Sequence, residues 1–254
     1  MTHNIKNYFS SIKHTIYALL IFLVLWWILS IMYPPYIIPS PFSVLRNINK
    51  YIEEDFFHHF WLSIYRTFAG FLISLVLGTL LSLFTHSSKM QSTFLIFLAL
   101  FQVIPGTILG IIFLILSGIG SLTPIALVAS LTISTVFINA TNVLLKRNEN
   151  LEAVIKVFDG KNGSIIKYLL LPTLVPITRS NLTLGMGLGL KVVVLGEFIG
   201  SQDGLGYLLN VARIYFQMDK VFFYLIVLLL FMVLYEFFIN LIFVIFFQKY
   251  LYGE

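Results

Sequence analysis

Residues 146–172, KRNENLEAVIKVFDGKNGSIIKYLLLP, decide how the rest of the chain is read. This stretch gathers five of the chain's sixteen basic residues (Lys146, Arg147, Lys156, Lys161, Lys167) together with Glu149, Glu152 and Asp159. Only 11% of the 254 residues are charged and 59% are hydrophobic, so a charged run of this length is an island between apolar stretches. Charges need water, whereas an apolar run of about 20 residues is long enough to cross a bilayer as a helix. The island therefore marks a loop outside the membrane, and the remainder is counted in spans.

Composition points the same way. Mean hydropathy is +0.95, and 25 Phe and 13 Tyr leave few side chains to solvate an exterior, which makes lipid the expected solvent. The formal net charge of +5 carries no nucleic-acid signal, because the basic residues sit in short loops between apolar runs and not along one face. The absence of cysteine excludes disulfides and thiolate metal sites. A cleaved leader is not expected, since residues 10–33 are long enough to span and no small-residue cleavage site follows them.

Outward from the island, the apolar run 125–145 precedes it, with Asn139 and Asn142 near its end. The run 175–198 follows it, rich in glycine (Gly185, Gly187, Gly189, Gly196) and containing Lys191 and Glu197. Further out lie 93–116, interrupted by Gln102 and Pro105–Gly106, and 221–247, interrupted only by Glu236 and Asn240. In the run 60–84, Ser63, Gly70, Ser74, Gly78 and Ser82 supply the small residues that close helix packing in lipid favours. Arg66 in that run is expected to snorkel to the near interface. The run 15–33 carries Trp26, Trp27 and Tyr33 towards its far end, as an aromatic belt would. The expected fold class is thus all-α integral membrane, one domain of six transmembrane helices over residues 1–254.

Two polar connections interrupt this pattern. PPYIIPSP, residues 34–41, reads as extended, because each proline biases its predecessor away from helix. A short interfacial helix follows from Ser43, with Phe42, Leu45 and Ile48 at helical spacing. Residues 199–220 are too polar to span and read as a loop with a short helix. With the N-terminus inside, the inner loops hold nine basic residues (Lys6, Lys13, Lys89, Lys146, Arg147, Lys156, Lys161, Lys167, Lys249) and the outer loops four (Arg46, Lys50, Arg213, Lys220). The positive-inside rule then puts both termini and the 146–172 loop in the cytoplasm.

Catalytic chemistry is hard to place on this chain. No glycine-rich stretch ends in Gly-Lys-Ser/Thr, so the chain is not expected to hydrolyse ATP itself. His58 and His59 are adjacent and would point apart on a helix, and the other histidines are scattered, so neither a metal site nor a cofactor is expected. The ionisable residues inside spans are the stronger signal, because a charge at that depth normally faces a cavity or a partner. Lys191 precedes Glu197 by about one and a half to two turns. It either lines a route and attracts an anionic solute, or forms a structural ion pair with Glu197 or Glu236. Glu197 lies at the outer end of its span, where water or the GSQDGLGY loop can satisfy it. Gln102, Asn139 and Asn142 are either route groups or polar glue between helices, and Pro105 either lines a route or kinks a helix.

Five segments in order carry a family resemblance: IIPSPFSVL at 37–45, SIYRTFAGF at 63–71, FQVIPGTILGIIFLILSGIGSLTPI at 101–125, LEAVIKVFDG…LLLPTLVP within 151–176, and GEFIGSQDGLGYLL at 196–209. Together they resemble the transmembrane permease subunit of ATP-binding-cassette importers, in the binding-protein-dependent branch that handles nitrate, sulfonates, taurine and thiamine precursors. The resemblance covers residues 38–250. It implies that the 146–172 loop forms coupling helices seated on the ATPase subunit. Glu152 and Ala153 match the start of the family's Glu-Ala-Ala motif, and Leu171, Pro172 and Pro176 match its end. Val154 stands where the second Ala is usual, and Asp159 stands at the usual Gly with Gly160 beside it, so the motif's core departs from the pattern.

The resemblance further implies two ATPase subunits, a second copy of the permease (a homodimer), an extracytoplasmic solute-binding protein, and a bacterial cytoplasmic (inner) membrane as the setting. The solute would be a sulfonate-, nitrate- or taurine-like anion, or a compound like a thiamine precursor. The alternative is a secondary transporter driven by an ion gradient, with Lys191, Glu197 and Glu236 as a relay.

Overall fold

The computed structural model describes residues 2–145, Val154, Val157 and 171–252. All regular structure among them is helical: α1 (Thr2–Met32), α2 (Pro41–Arg46), α3 (Ile48–Tyr51), α4 (Phe56–Ser87), α5 (Gln91–Gln102), α6 (Gly106–Ser117), α7 (Leu122–Leu145), α8 (Leu171–Gly200), α9 (Leu205–Ile214) and α10 (Met218–Tyr252). The backbone divides into two units, Met1–Phe57 with Leu208–Leu229, and His58–Tyr207 with Leu230–Glu254.

In the first unit α1 stops at Met32, ahead of the Pro34–Pro35 pair that cannot continue it. The 34–41 segment is not extended as expected. The Pro34 carbonyl accepts from the amides of Ile37 and Ile38 and closes a turn. α2 also starts earlier than expected: the Ser40 hydroxyl caps it by accepting from the Ser43 amide at 3.1 Å, and Pro41 occupies the first turn, where its missing N–H costs nothing. Trp26 does not sit in a belt but inside, its indole N–H donating to the Pro39 carbonyl at 2.9 Å and its ring stacked on Phe222. Tyr51, Phe56, Phe223 and Tyr224 form a buried aromatic cluster.

The second unit is built on a seam between α4 and α7. Gly70, Ser74, Gly78 and Ser82 recur every four residues on α4 and form one stripe. Facing them are Val128, Thr132, Val136 and Thr141 of α7, so the two helices run parallel in register. A Cβ at Gly70 would lie 2.7 Å from that of Val128, and one at Gly78 would lie 2.9 Å from Val136 Cγ1. The hydroxyls bridge the same seam: Thr132 donates to Ser74 at 2.8 Å, and Ser82 and Thr141 share a bond of 3.0 Å. The expectation that small residues let this helix pack closely is met, and α7 is the partner.

α8 lies antiparallel to α7 and uses its glycines in the same way. Gly185 abuts Phe71, Gly189 abuts Thr67, Gly196 abuts Pro124 and Gly200 abuts Thr123. Phe71, Leu109, Leu127, Val128, Val136, Val192 and Val193 form the buried core between these helices. α10 runs antiparallel to α8, its register fixed by Met232 against Gly187, Tyr235 Oη donating to the Leu182 carbonyl, and Arg179 Nε donating to Asn240 Oδ1 at 2.9 Å.

Among the described residues four helices are long and apolar enough to cross a membrane: Phe56–His86, Leu122–Asn142, Thr178–Gly200 and Met218–Phe247. The expected continuous third span is corrected, because α5 and α6 meet at 90° and count as a fifth span only if the bent pair is taken as one. Pro105 lacks an amide hydrogen and disfavours helix in its predecessor, so the chain leaves helix at residues 103–105. Tyr17–Met32 is a shorter apolar helix by the same measure.

Candidate functional site

A polar node closes one end of the second unit. On α4, Ser63 lies one turn before Arg66 and Thr67, and all three are fully buried, as is Glu197 near the end of α8. Arg66 therefore does not snorkel as expected. Its Nη1 donates to Glu197 Oε1 at 3.0 Å and to the Asp203 carbonyl at 3.0 Å. Its Nε and Nη2 both donate to Ser121 Oγ, and Nη2 also donates to Asp203 Oδ1. A guanidinium has five N–H donors, and all five are used here. A buried arginine persists under that condition, since an unpaired one would bear the full desolvation cost.

The loop after α8 wraps the carboxylate. The Gly204, Leu205 and Gly206 amides donate in turn to His59 Nδ1 (2.9 Å), Ser63 Oγ (2.8 Å) and Glu197 Oε2 (2.8 Å). Gly204 has φ +97°, and a Cβ there would lie 2.3 Å from Glu197 Cδ, so no other residue fits. Burial pushes the Asp203 carboxyl up, but hydrogen bonds from Ser201 and Arg66 and the Arg66 charge outweigh it and hold the group below its usual range. The expectation that the GSQDGLGY loop satisfies Glu197 is met. Lys191 as the partner of Glu197 is corrected, because Arg66 holds that carboxylate and leaves it no opening to a solute. His58 and His59 do not point fully apart: their rings meet edge-on at 5.8 Å, and His59 joins the node.

The other route candidates lie elsewhere. Lys191 is exposed on α8, and Gln102 and Pro105 are exposed at the α5–α6 bend. Asn139 is half-buried and donates to the buried Asn181 on α8, which is the helix-bridging use of an amide. A groove of about 530 Å³ opens between α4, α6 and α7, lined by residues such as Ile73, Leu77, Phe113 and Ile133. None of Gln102, Pro105, Asn139 or Lys191 lines it, and its Ser74 and Ser130 hydroxyls donate to backbone carbonyls, so it offers apolar surface and not a polar solute site. Among the described residues no cluster of three metal-ligating side chains exists. Glu152, Ala153, Asp159 and Gly160 lie outside the described residues, while Leu171 and Pro172 open α8.

Sequence reasoning missed Arg66, His59, Ser121 and Asp203 as a set. The signals were present in SIYR and in GEFIGSQDGLG, but nothing in their spacing joins residues 131 positions apart.

Comparison with known proteins places this architecture. The family model described as binding-protein-dependent transport system inner membrane component matches residues 70–250. The putative aliphatic sulfonates transport permease protein SsuC of Bacillus subtilis is 27% identical over 73% of this chain and 68% of its own length. The formylaminopyrimidine transport permease protein ThiX of Halalkalibacterium halodurans is 26% identical over 80% of this chain and 81% of its own. The riboflavin transport system permease protein RibX of Chloroflexus aurantiacus is 23% identical over 75% and 72%. These relatives are named as transport permeases, not enzymes, and the matched region holds the α4–α7 seam, the bend at Pro105, Lys191 and Glu197. The chain belongs to the family of binding-protein-dependent transport system inner membrane components, the permeases of ATP-binding-cassette importers.

Proposed function

We propose that this chain is the translocation subunit of an importer that carries a small organic solute of the sulfonate or thiamine-precursor kind. The observation that carries the reading is the family match over residues 70–250. Two copies side by side, with six spans each and cytoplasmic termini, would frame the route. Gln102 and Pro105 at the bend, with Lys191 on α8, are the groups assigned to it. Two ATPase subunits would drive the cycle, and a solute-binding protein would deliver cargo on the opposite side.

The 146–172 loop is assigned to motor coupling, with Glu152, Ala153, Asp159 and Gly160 at its core and Leu171–Pro172 at its exit. The physical support is that a permease with no nucleotide site of its own needs a charged handle outside the membrane, and this is the chain's long charged stretch. Charge complementarity at such a handle sets register and association rate more than affinity. Charge reversal at Glu152 and Asp159 together should lower solute uptake and the ATP hydrolysis of the purified complex while membrane insertion stays at the wild-type level. Unchanged uptake and hydrolysis would remove the coupling role.

The bent α5–α6 pair supports the route assignment. At membrane depth, non-helical backbone is tolerated where it is buried in protein or lines a water-filled cavity.

A further inference from the structure

Four cations lie within the described spans, and three of them are engaged. Lys220, at the start of the Met218–Phe247 span, pairs with Glu53. Arg66 is neutralised by Glu197 and Asp203. Arg179 donates to Asn240 from the first turn of the Thr178–Gly200 span. Lys191 differs. It is exposed, and no ion pair or hydrogen bond holds it among the described residues. It lies thirteen residues from Thr178 and nine from Gly200, about 20 Å and about 14 Å at 1.5 Å per residue. In a hydrocarbon layer about 30 Å thick that is the middle, too deep for its four-carbon stem to reach either headgroup region.

Both ion pairs open to Lys191 on sequence grounds fail on geometry. Glu197 faces Arg66 and the loop amides. The α8–α10 register pairs 187 with 232 and 179 with 240, which puts Glu236 level with residue 183. That is eight residues, about 12 Å along the axis, from Lys191. One turn before Lys191, Gly187 touches Met232 of α10; one turn after it, Leu195 touches Gly106 at the α5–α6 bend. The ammonium therefore sits on a strip of α8 between α10 and the bend, where the backbone of 103–105 also leaves helix. A lone cation at mid-membrane, one turn from the residue that meets the bend, belongs in a polar route and not against lipid tails. A single uncompensated charge between low-dielectric walls raises the local concentration of its counter-ions and depletes ions of its own sign.

We propose that Lys191 sets the charge preference of the solute route, favouring small anions over cations of similar size. This rests on the permease function proposed above. The chain contains no cysteine, so Leu184→Cys gives a single thiol on an exposed position two turns before Lys191. The complex in liposomes at low ionic strength is labelled with anionic sulfonatoethyl and cationic trimethylammonioethyl methanethiosulfonate, and the two rates are compared. Lys191→Gln should lower the anion-to-cation rate ratio at least about fourfold, the effect of one charge about 10 Å away across water on the two probes. Lys191→Arg should keep the ratio. An unchanged ratio in Lys191→Gln overturns the proposal, and so does protection of the introduced thiol from both reagents, the outcome if a second copy or lipid covers the strip. Vanadate-sensitive ATP hydrolysis by the same preparation separates the two failures: if it is present and the ratio does not move, Lys191 alone is wrong; if it is absent, the permease reading fails.

Discussion

Glu197→Gln is the sharpest test of the node. The substitution keeps the volume of the side chain and removes its charge. Three donors converge on the carboxylate: the Ser63 hydroxyl, Arg66 Nη1 and the Gly206 amide. A glutamine has one oxygen to offer them, and its amide N–H group must confront at least one of the donors. Removing one partner of a buried ion pair costs about 3–5 kcal/mol. Arg66 keeps Asp203 and Ser121, which pulls the value down, while a donor left without an acceptor adds about 1–3 kcal/mol. The net expectation is a loss of about 3–5 kcal/mol, or roughly 6–20 °C in midpoint at about 2–4 °C per kcal/mol for a chain of this size. The assay is the fraction of monodisperse protein surviving a heat step in detergent, read by size exclusion. The double replacement Arg66→Met with Glu197→Met removes the uncompensated buried cation but leaves the Gly206 amide without its acceptor, so it should recover part of the loss and no more. A shift below about 2 °C for Glu197→Gln, corresponding to under 1 kcal/mol, would refute the reasoning, as would a double variant less stable than the single one.

Two further outcomes follow from the same geometry. Gly78→Leu drives a side chain into Val136 across a gap already at contact, and should abolish accumulation of folded protein, whereas Leu77→Ala on the groove-facing side of the same helix should be tolerated; comparable yields of the two would disprove the seam. Because the Asp203 carboxyl is held below its usual range by Arg66 and Ser201, the stability it adds is present above about pH 4 and is lost as pH falls through its folded value. The midpoint deficit of Asp203→Asn should thus be constant from neutral pH down to about pH 5 and shrink on further acidification, and a deficit that grows with acid would contradict it.

The two kinds of packing differ in how far the sequence announced them. The α4 stripe was legible because Gly70, Ser74, Gly78 and Ser82 repeat at the helical period, which forces them onto one face whatever the partner. The partner itself, α7, became known only from register. Pro105 announced a break through its missing N–H, but the 90° turn depends on what α5 and α6 pack against, including Gly110 against Ile199. Arg66 looked like a snorkelling residue because it lies early in a span, where an arginine can ordinarily reach water. Its acceptors are Ser121, 55 residues on, and Glu197 and Asp203, on α8 and in the loop after it more than a hundred residues later, and no local rule links them. Glu197 was read from both sides: the loop that satisfies it was identified, but its cation was not. For Lys191 the sequence left an ion pair and a route open; the hold of Arg66 on Glu197 removed one pair and the α8–α10 register removed the pair with Glu236.

The central claim is that an external ATPase drives transport through this chain. The most direct measurement uses the affinity-tagged chain purified from its native membrane and placed in liposomes without an ion gradient. The account predicts that the preparation carries vanadate-sensitive ATP hydrolysis, and that charge reversal at Glu152 and Asp159 lowers that hydrolysis without changing the amount of chain inserted. A chain that purifies without nucleotide hydrolysis, in membranes where uptake stops on collapse of the proton or sodium gradient and continues after ATP depletion, would contradict it.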